Sequence, residues 1–359
     1  MEGVMDVFMR EINTNQHDPV HGGYDQAVTE FIRVTDQVLP ETTFYKYCPE
    51  LRNNCLTSSG TPVFVQLLGG DPVKLAENAQ KAADLGAIGI DLNFGCPAAT
   101  VNRHDGGATL LKYPDRIYEI IKQVRAAVPK AIPVTAKIRL GFENHDDCLL
   151  NVVRIKDAGA DWVTVHCRTK KELYQPLIHW NYIPKIANLI SIPIVVNGEI
   201  WTINDIDRCK EQTKQEVFMI GRGSLVNPFL ASEVKTKLSI NSQVSHIDEK
   251  TWMIRYMDLL NVFALKSLAE RGNKCTVKKL KQWIRMTSLK NPTIQILFDQ
   301  VKTQEETTKI QELSRIFLDF CLNEIENKKN EAHIQNIIHP KETSNVRCQN
   351  HYQNTLSLL

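Results

Sequence analysis

The feature that most restricts this chain is a recurrence of short apolar runs separated by amphipathic stretches. The runs are "AVTEFI" (Ala27 to Ile32), "VFVQLLG" (Val63 to Gly69), "AIGIDLNF" (Ala87 to Phe94) and "PVTAKIRL" (Pro133 to Leu140). They continue with "WVTVHCR" (Trp162 to Arg168), "PIVVNGE" (Pro193 to Glu199) and "EVFMIGRG" (Glu216 to Gly223). Each is short and β-branched or aromatic, as buried parallel strands are. Helical patterns lie between them. "DPVKLAENAQKAADLGA" carries a capping Asp71, Pro72 at the first helical position and Gly86 as a stop. Strand and helix alternate at intervals of roughly 25–35 residues, which predicts an α/β TIM (β/α)₈ barrel. The runs number seven, one short of closure, and no strand-like segment precedes "VMDVFMREI".

From about Asn241 the pattern changes to amphipathic helices without strands. The reading is a catalytic barrel over residues 1–240, a helical domain over 241–328 and a polar, disordered tail over 329–359. "NTNQHDPVHGGY" (Asn13 to Tyr24) reads as a surface loop, with no metal assigned to His17 and His21. The nine cysteines form neither a CxxC pair nor a zinc-spaced cluster, so no metal is expected. With no run of about 18 apolar residues and no signal-peptide pattern, the expectation is a cytoplasmic protein without a membrane partner. The net charge of +2 does not announce a nucleic-acid binder, so any RNA contact must come from local basic patches.

Catalytic groups of a barrel gather at the C-terminal strand ends. Those ends carry Gln66, Asn93 with Cys96, Lys137 with Arg139, His166 with Arg168, Asn197 with Glu199, and Gly221 with Arg222. Burying such groups without partners would cost about 2–7 kcal/mol each, so a polar ligand is expected to satisfy them. The last two loops, "NGEIW" and "IGRGSL", occupy the usual barrel phosphate site. Lys137 reads either as a Schiff-base lysine or as a fixed cation facing an electron-rich ring. His166 reads as a base, a ring-facing donor or a satisfied core histidine.

Taken in order and spacing, "DLNFGCP", "TAKIRLG", "VHCRT", "VVNGEI" and "MIGRG" resemble the tRNA-dihydrouridine synthases, nearest the bacterial branch that acts on position 16. The resemblance reaches to about Glu326. It implies that NADPH (or NADH) reduces bound FMN, that hydride passes to uracil C6, and that a cysteine protonates C5. Carried over by motif, Cys96 is the proton donor. Met1, Glu2, Gly3, Gln66, Lys137, His166, Asn197, Gly198, Glu199, Gly221 and Arg222 hold the cofactor, and Asn93 lies beside the uracil. The target uridine must be flipped out of a folded tRNA, and the enzyme is expected to act as a monomer. Lys274, Lys278, Lys279 and Lys281, with Arg285, form the best basic patch. As a run of charges it reads as a solvated helix face, and the resemblance turns it toward RNA phosphate. Arg33, Tyr174 and Arg103 are further tRNA-contact candidates, Arg103 being alternatively a loop anchor.

Relatives begin with a strand ending in "APMEGV", whereas this sequence starts within that motif. The expectation is a barrel lacking its first strand, poorly stable and weak in FMN binding. Cys167 stands where relatives carry a small residue and reads as a buried thiol. Three rival readings remain: a truncated, weakly active homologue that still binds tRNA, a non-catalytic RNA binder, and a barrel lyase using Lys137.

Overall fold

The computed structural model describes residues 3–16, 22–102, 106–240 and 247–338. Met1, Glu2 and Arg103 lie outside these residues, as does 339–359. Among the described residues there are eight strands: β1 (Ala27–Val28), β2 (Ile32–Arg33), β3 (Val63–Leu68), β4 (Ile90–Asn93), β5 (Val134–Gly141), β6 (Val163–Thr169), β7 (Ile194–Asn197) and β8 (Phe218–Met219). Every pairing between these strands is parallel, and the order β1-β3-β4-β5-β6-β7-β8 follows the chain, with β2 also on β3. The run read as one strand at Ala27 to Ile32 is therefore two short pieces on the same neighbour. Among the described residues β8 and β1 do not pair, so the barrel wall has an open seam.

Local chemistry explains the intervening helices. The helix Pro72–Asp84 starts where the Asp71 carboxylate accepts from Lys74 N at 2.9 Å, with Pro72 in its first turn. The helix Ile203–Thr213 opens on a reciprocal capping box between Thr202 and Asp205. Apolar faces of these helices and of Pro114–Ala127 and Asp147–Asp157 close over the sheet. There Val65, Ile90, Ala136, Val165 and Val196 are buried in one continuous core. No helix among the described residues is long and apolar enough to cross a membrane.

A second core belongs to three helical segments: Glu249–Ser288, broken at Gly272, then Pro292–Val301 and Thr307–Ile338. Gly272 sits at φ +73° with nothing within 4 Å of a prospective Cβ, so backbone conformation rather than crowding is what glycine satisfies there. The last helix runs to Ile338, past the boundary expected at residue 328. The helix Val7–Thr14, assigned by its position in sequence to the barrel, puts Phe8, Met9 and Ile12 into this second core. Its other face sends Arg10 to Glu50 in a buried bidentate ion pair, both bonds at 2.9 Å. The N-terminal helix is thus a strut between barrel and helical domain. A second link runs through Leu225, whose carbonyl accepts from Trp283 Nε1 at 2.9 Å and Thr287 Oγ1 at 3.0 Å.

Candidate active site

Register brings the polar strand ends together. In the parallel ladder Gln66 pairs with Asp91, Asn93 with Lys137, Arg139 with His166, and His166 with Asn197. Gln66, Asn93, Lys137, Arg139, His166 and Asn197 line a cavity of about 1140 Å³ that also takes in Cys96, Tyr174, Gly198, Glu199, Gly221 and Arg222. That exceeds the about 300–1,000 Å³ of ordinary ligand pockets. The cavity continues along the open seam to Trp162, Pro193 and Glu216 at the opposite strand ends.

Cys96 is held by its backbone on both sides. Asn93 Oδ1 accepts from Gly95 N at 2.9 Å and from Cys96 N at 3.0 Å, an Asx-type turn directly after β4. Cys96 O accepts from Ala108 N at 3.0 Å and from Asn102 Nδ2 at 3.1 Å. Gly107, at φ +59°, packs so closely that a Cβ there would lie 2.8 Å from Cys96 O and 3.1 Å from Cys96 Cβ. The glycine-rich loop therefore permits close approach of two backbone segments and fixes where the thiol stands. Asn93 was expected beside a substrate base. It lines the cavity, with its amide engaged at both ends, because Nδ2 donates to Gln66 Oε1 at 2.9 Å while Oδ1 holds the Cys96 backbone.

Beneath Gln66 lies Asp91, which sequence reading passed over. Its carboxylate accepts from Gln66 Nε2 at 2.6 Å and from Thr135 Oγ1 at 2.5 Å. Burial raises its pKa, against the opposing pull of those bonds and of Lys137. The signal was present, since Asp91 and Asn93 are two apart and so share a strand face.

Lys137 Nζ donates to Asn197 Oδ1 at 3.2 Å. Burial, reinforced by Arg139, brings its pKa down to about 8. The same Asn197 oxygen receives His166 Nδ1 at 2.8 Å, while Asn197 Nδ2 donates to Met219 O at 2.7 Å. That second bond orients the amide, so His166 Nδ1 carries the proton and Nε2 carries a lone pair. Burial, with Lys137 and Arg139 nearby, holds His166 well below the usual imidazole pKa and keeps it neutral. Its Nε2 is buried and has no hydrogen-bond partner among the described residues.

At the β7 and β8 ends, Glu199 joins two cations. Its Oε1 lies 2.8 Å from Arg168 NH2 and 2.9 Å from Arg222 NH2, and Oε2 accepts from Trp201 Nε1 at 2.9 Å. Burial works to raise the Glu199 pKa, but Arg168 and Trp201 outweigh it and hold the carboxyl below its usual range. Glu199, expected to hold a cofactor's chain or phosphate, is seen engaged with these three side chains. Arg222 and Lys290 flank the Trp201 ring, each 4.8 Å from its centroid. Lys290, on the helical domain, was not foreseen.

The other expected contacts divide. Tyr174 stands half-exposed at the rim, its ring 4.8 Å from the Arg222 guanidinium carbon and 5.4 Å from that of Arg139. Arg33 is exposed at the end of β2 and reaches Thr100 O at 3.5 Å. Lys274 and Lys278 are exposed and Lys281 half-buried. Lys279, expected among the RNA contacts, has partners within the protein. It donates to Gly3 O at 2.7 Å and pairs with Asp6 at 3.2 Å, because its face of the helix packs on the N-terminal strut. Gly3 is absent from the cavity lining, whereas Val4 and Met5 belong to it.

The chain matches a family model described as dihydrouridine synthase over residues 1–321. Among curated relatives, the tRNA-dihydrouridine(16) synthase of Pseudomonas syringae is 42% identical over 310 residues, 86% of this chain and 95% of that protein. The protein of the same name in Vibrio parahaemolyticus is 44% identical, covering 87% of this chain and 92% of its own length. The one in Shewanella oneidensis is 41% identical, covering 89% and 98%.

Proposed function

The chain belongs to the dihydrouridine synthase family, and on that premise we propose that it reduces uridine 16 of tRNA to 5,6-dihydrouridine, with FMN as cofactor and NADPH as reductant. The observation that carries this reading is Cys96, pinned through its backbone at the mouth of a cavity whose wall presents Lys137, His166 and Arg222. The residues present fit the ring and hydroxyl-bearing chain of a flavin. His166 Nε2 is a buried acceptor lacking a partner among the described residues, and Lys137 is a buried cation suited to an electron-rich ring. When bound, FMN would supply hydride for C6 of the uracil, with NADPH as its source.

The protein's residues supply the rest. Addition at C6 leaves an electron pair at C5, and the Cys96 thiol gives its proton there, so the C5–C6 double bond becomes a single bond. The resulting thiolate recovers a proton from solvent. Lys137, Gln66 and His166 orient the cofactor's ring and chain; Gly198, Gly221 and Arg222 hold its phosphate, with Glu199 keeping Arg222 in place. Family membership sets aside the Schiff-base reading of Lys137. The relatives' names and the 41–44% identity support position 16.

Replacing Cys96 with Ala tests the assignment. The variant should keep its flavin and its tRNA affinity while dihydrouridine formation falls about 10²–10⁴-fold, the usual worth of a positioned general acid. Wild-type turnover in that variant would sink the assignment. Mapping dihydrouridine in tRNA from a strain lacking the gene tests the position, with loss expected at 16 alone.

A further inference from the structure

Three side chains outside the cavity converge at the ends of β5 and β6. His145 lies in the loop after β5, and Glu172 and His179 lie in the segment after β6. His145 Nε2 is 2.9 Å and His179 Nε2 2.8 Å from the same oxygen, Glu172 Oε1. The two imidazole rings meet edge to face with centroids 4.1 Å apart. All three donor atoms fall within 4.8 Å of one another. Small side-chain rotations therefore suffice to bring them to the about 2.0–2.2 Å that zinc takes from imidazole nitrogen and carboxylate oxygen.

We propose that His145, Glu172 and His179 bind one divalent late-transition-metal ion of the zinc and cobalt class, and that this ion pins the loop carrying Tyr174. The ligand set is two imidazoles and one carboxylate, with room for water in a fourth position. The carboxylate is already oriented, because Glu172 Oε2 accepts from Thr169 N at 2.7 Å, an outer contact of the kind that metal-binding carboxylates make. Side-chain exposures of 26%, 21% and 19% leave the site open to solvent on one side, so an ion can enter without unfolding.

The loop gives the ion its consequence. Leu173, next to Glu172, holds a left-handed φ of 53°, a strained conformation for a non-glycine residue that persists only where its surroundings impose it. Its carbonyl accepts from Arg139 NH1 at 3.1 Å, and Tyr174 follows at the cavity rim. An ion on Glu172 ties this strained turn to the neighbouring β5 loop through His145. It acts by position, since none of its ligands lines the cavity. The proposal requires neither flavin nor RNA, so it stands or falls separately from the assigned reaction.

The test uses the full chain stripped with a chelator. Zinc affinity is read by competition with a chromophoric chelator, and cobalt(II) coordination by its visible absorption. One equivalent should bind the wild type. His145→Asn and Glu172→Gln should each weaken binding at least about 100-fold, the upper end of what losing an outer-shell partner does, with flavin content unchanged. Zinc should also slow proteolytic cleavage between residues 170 and 178 in the wild type alone. Absence of zinc binding overturns the proposal. So does an equivalent held as tightly by both variants, which would place the ion elsewhere.

Discussion

Lys137 shows burial and charge opposed in one side chain. Its pKa falls from 10.5 to about 8, first by desolvation and then by Arg139. An unfolded chain keeps this proton up to the ordinary value, whereas the folded protein gives it up near pH 8. Below that point the folded state carries a buried charge at a cost of about 1–3 kcal/mol, and the cost fades as pH rises toward 10.5. Lys137→Met should therefore melt above wild type in the flavin-free protein at pH 7, while retaining less flavin. Its thermal advantage should narrow from pH 8 upward. An advantage constant across that range would mean that the lysine is not the source. Opposite signs for stability and ligand retention are what a residue selected for its site should give. At this scale sequence reading reached Cys96, Lys137, Gln66 and His166, because strand ends of a barrel are legible by periodicity alone. It missed what lies a layer deeper. Asp91 has no motif, and Asn93 has its amide committed by geometry that only the folded turn creates.

Among elements, the helix Val7–Thr14 is the least legible from sequence and the most consequential for assembly. Amphipathic spacing shows that one face is buried, not which neighbour buries it. By contrast, Asp71 and Pro72 could be read directly as a start signal, and the helix begins there. Asp6 concentrates the strut's function. One oxygen caps the helix, accepting from Met9 N at 3.1 Å, and the other pairs with Arg271 at 2.7 Å and Lys279 at 3.2 Å. Burial works to raise its pKa, but the Arg271 and Lys279 contacts prevail and lower it. Two substitutions separate the roles. Asp6→Asn keeps a good cap and loses the charge; Asp6→Ala loses both. Denaturant unfolding should rank wild type above Asn above Ala, with the second step about 1 kcal/mol. The first step should be the larger, since it leaves two part-buried cations without their counter-ion. Equal stability of wild type and Asn would show that the cross-domain pairs carry no net weight.

Across the whole molecule, the net charge of +2 hides an uneven distribution. Lys274, Lys278, Lys281 and Arg285 lie at spacings of three and four along one helical stripe, and three of them are exposed. The same helix ends near Lys290, which lies over Trp201 at the cavity rim. Sequence alone could not separate Lys279 from its neighbours, because the separation depends on which face meets the N-terminal strut. The seven expected strand runs are all present as strand positions, yet the open seam between β8 and β1 lets the cavity reach both ends of the barrel. Binding of a polyanion along the stripe should appear in the salt dependence of tRNA affinity. Each phosphate contact releases about 0.7–0.9 of a counterion, so Lys274→Ala, Lys278→Ala and Lys281→Ala should each flatten the log–log salt slope by about one unit. Melting temperature should stay within about 1–2 °C of wild type, as expected for surface changes. Lys279→Ala should do the reverse, lowering the melting temperature through Gly3 and Asp6 while leaving the slope nearly unchanged. A steep slope retained when all three lysines are replaced together would move RNA recognition off this stripe.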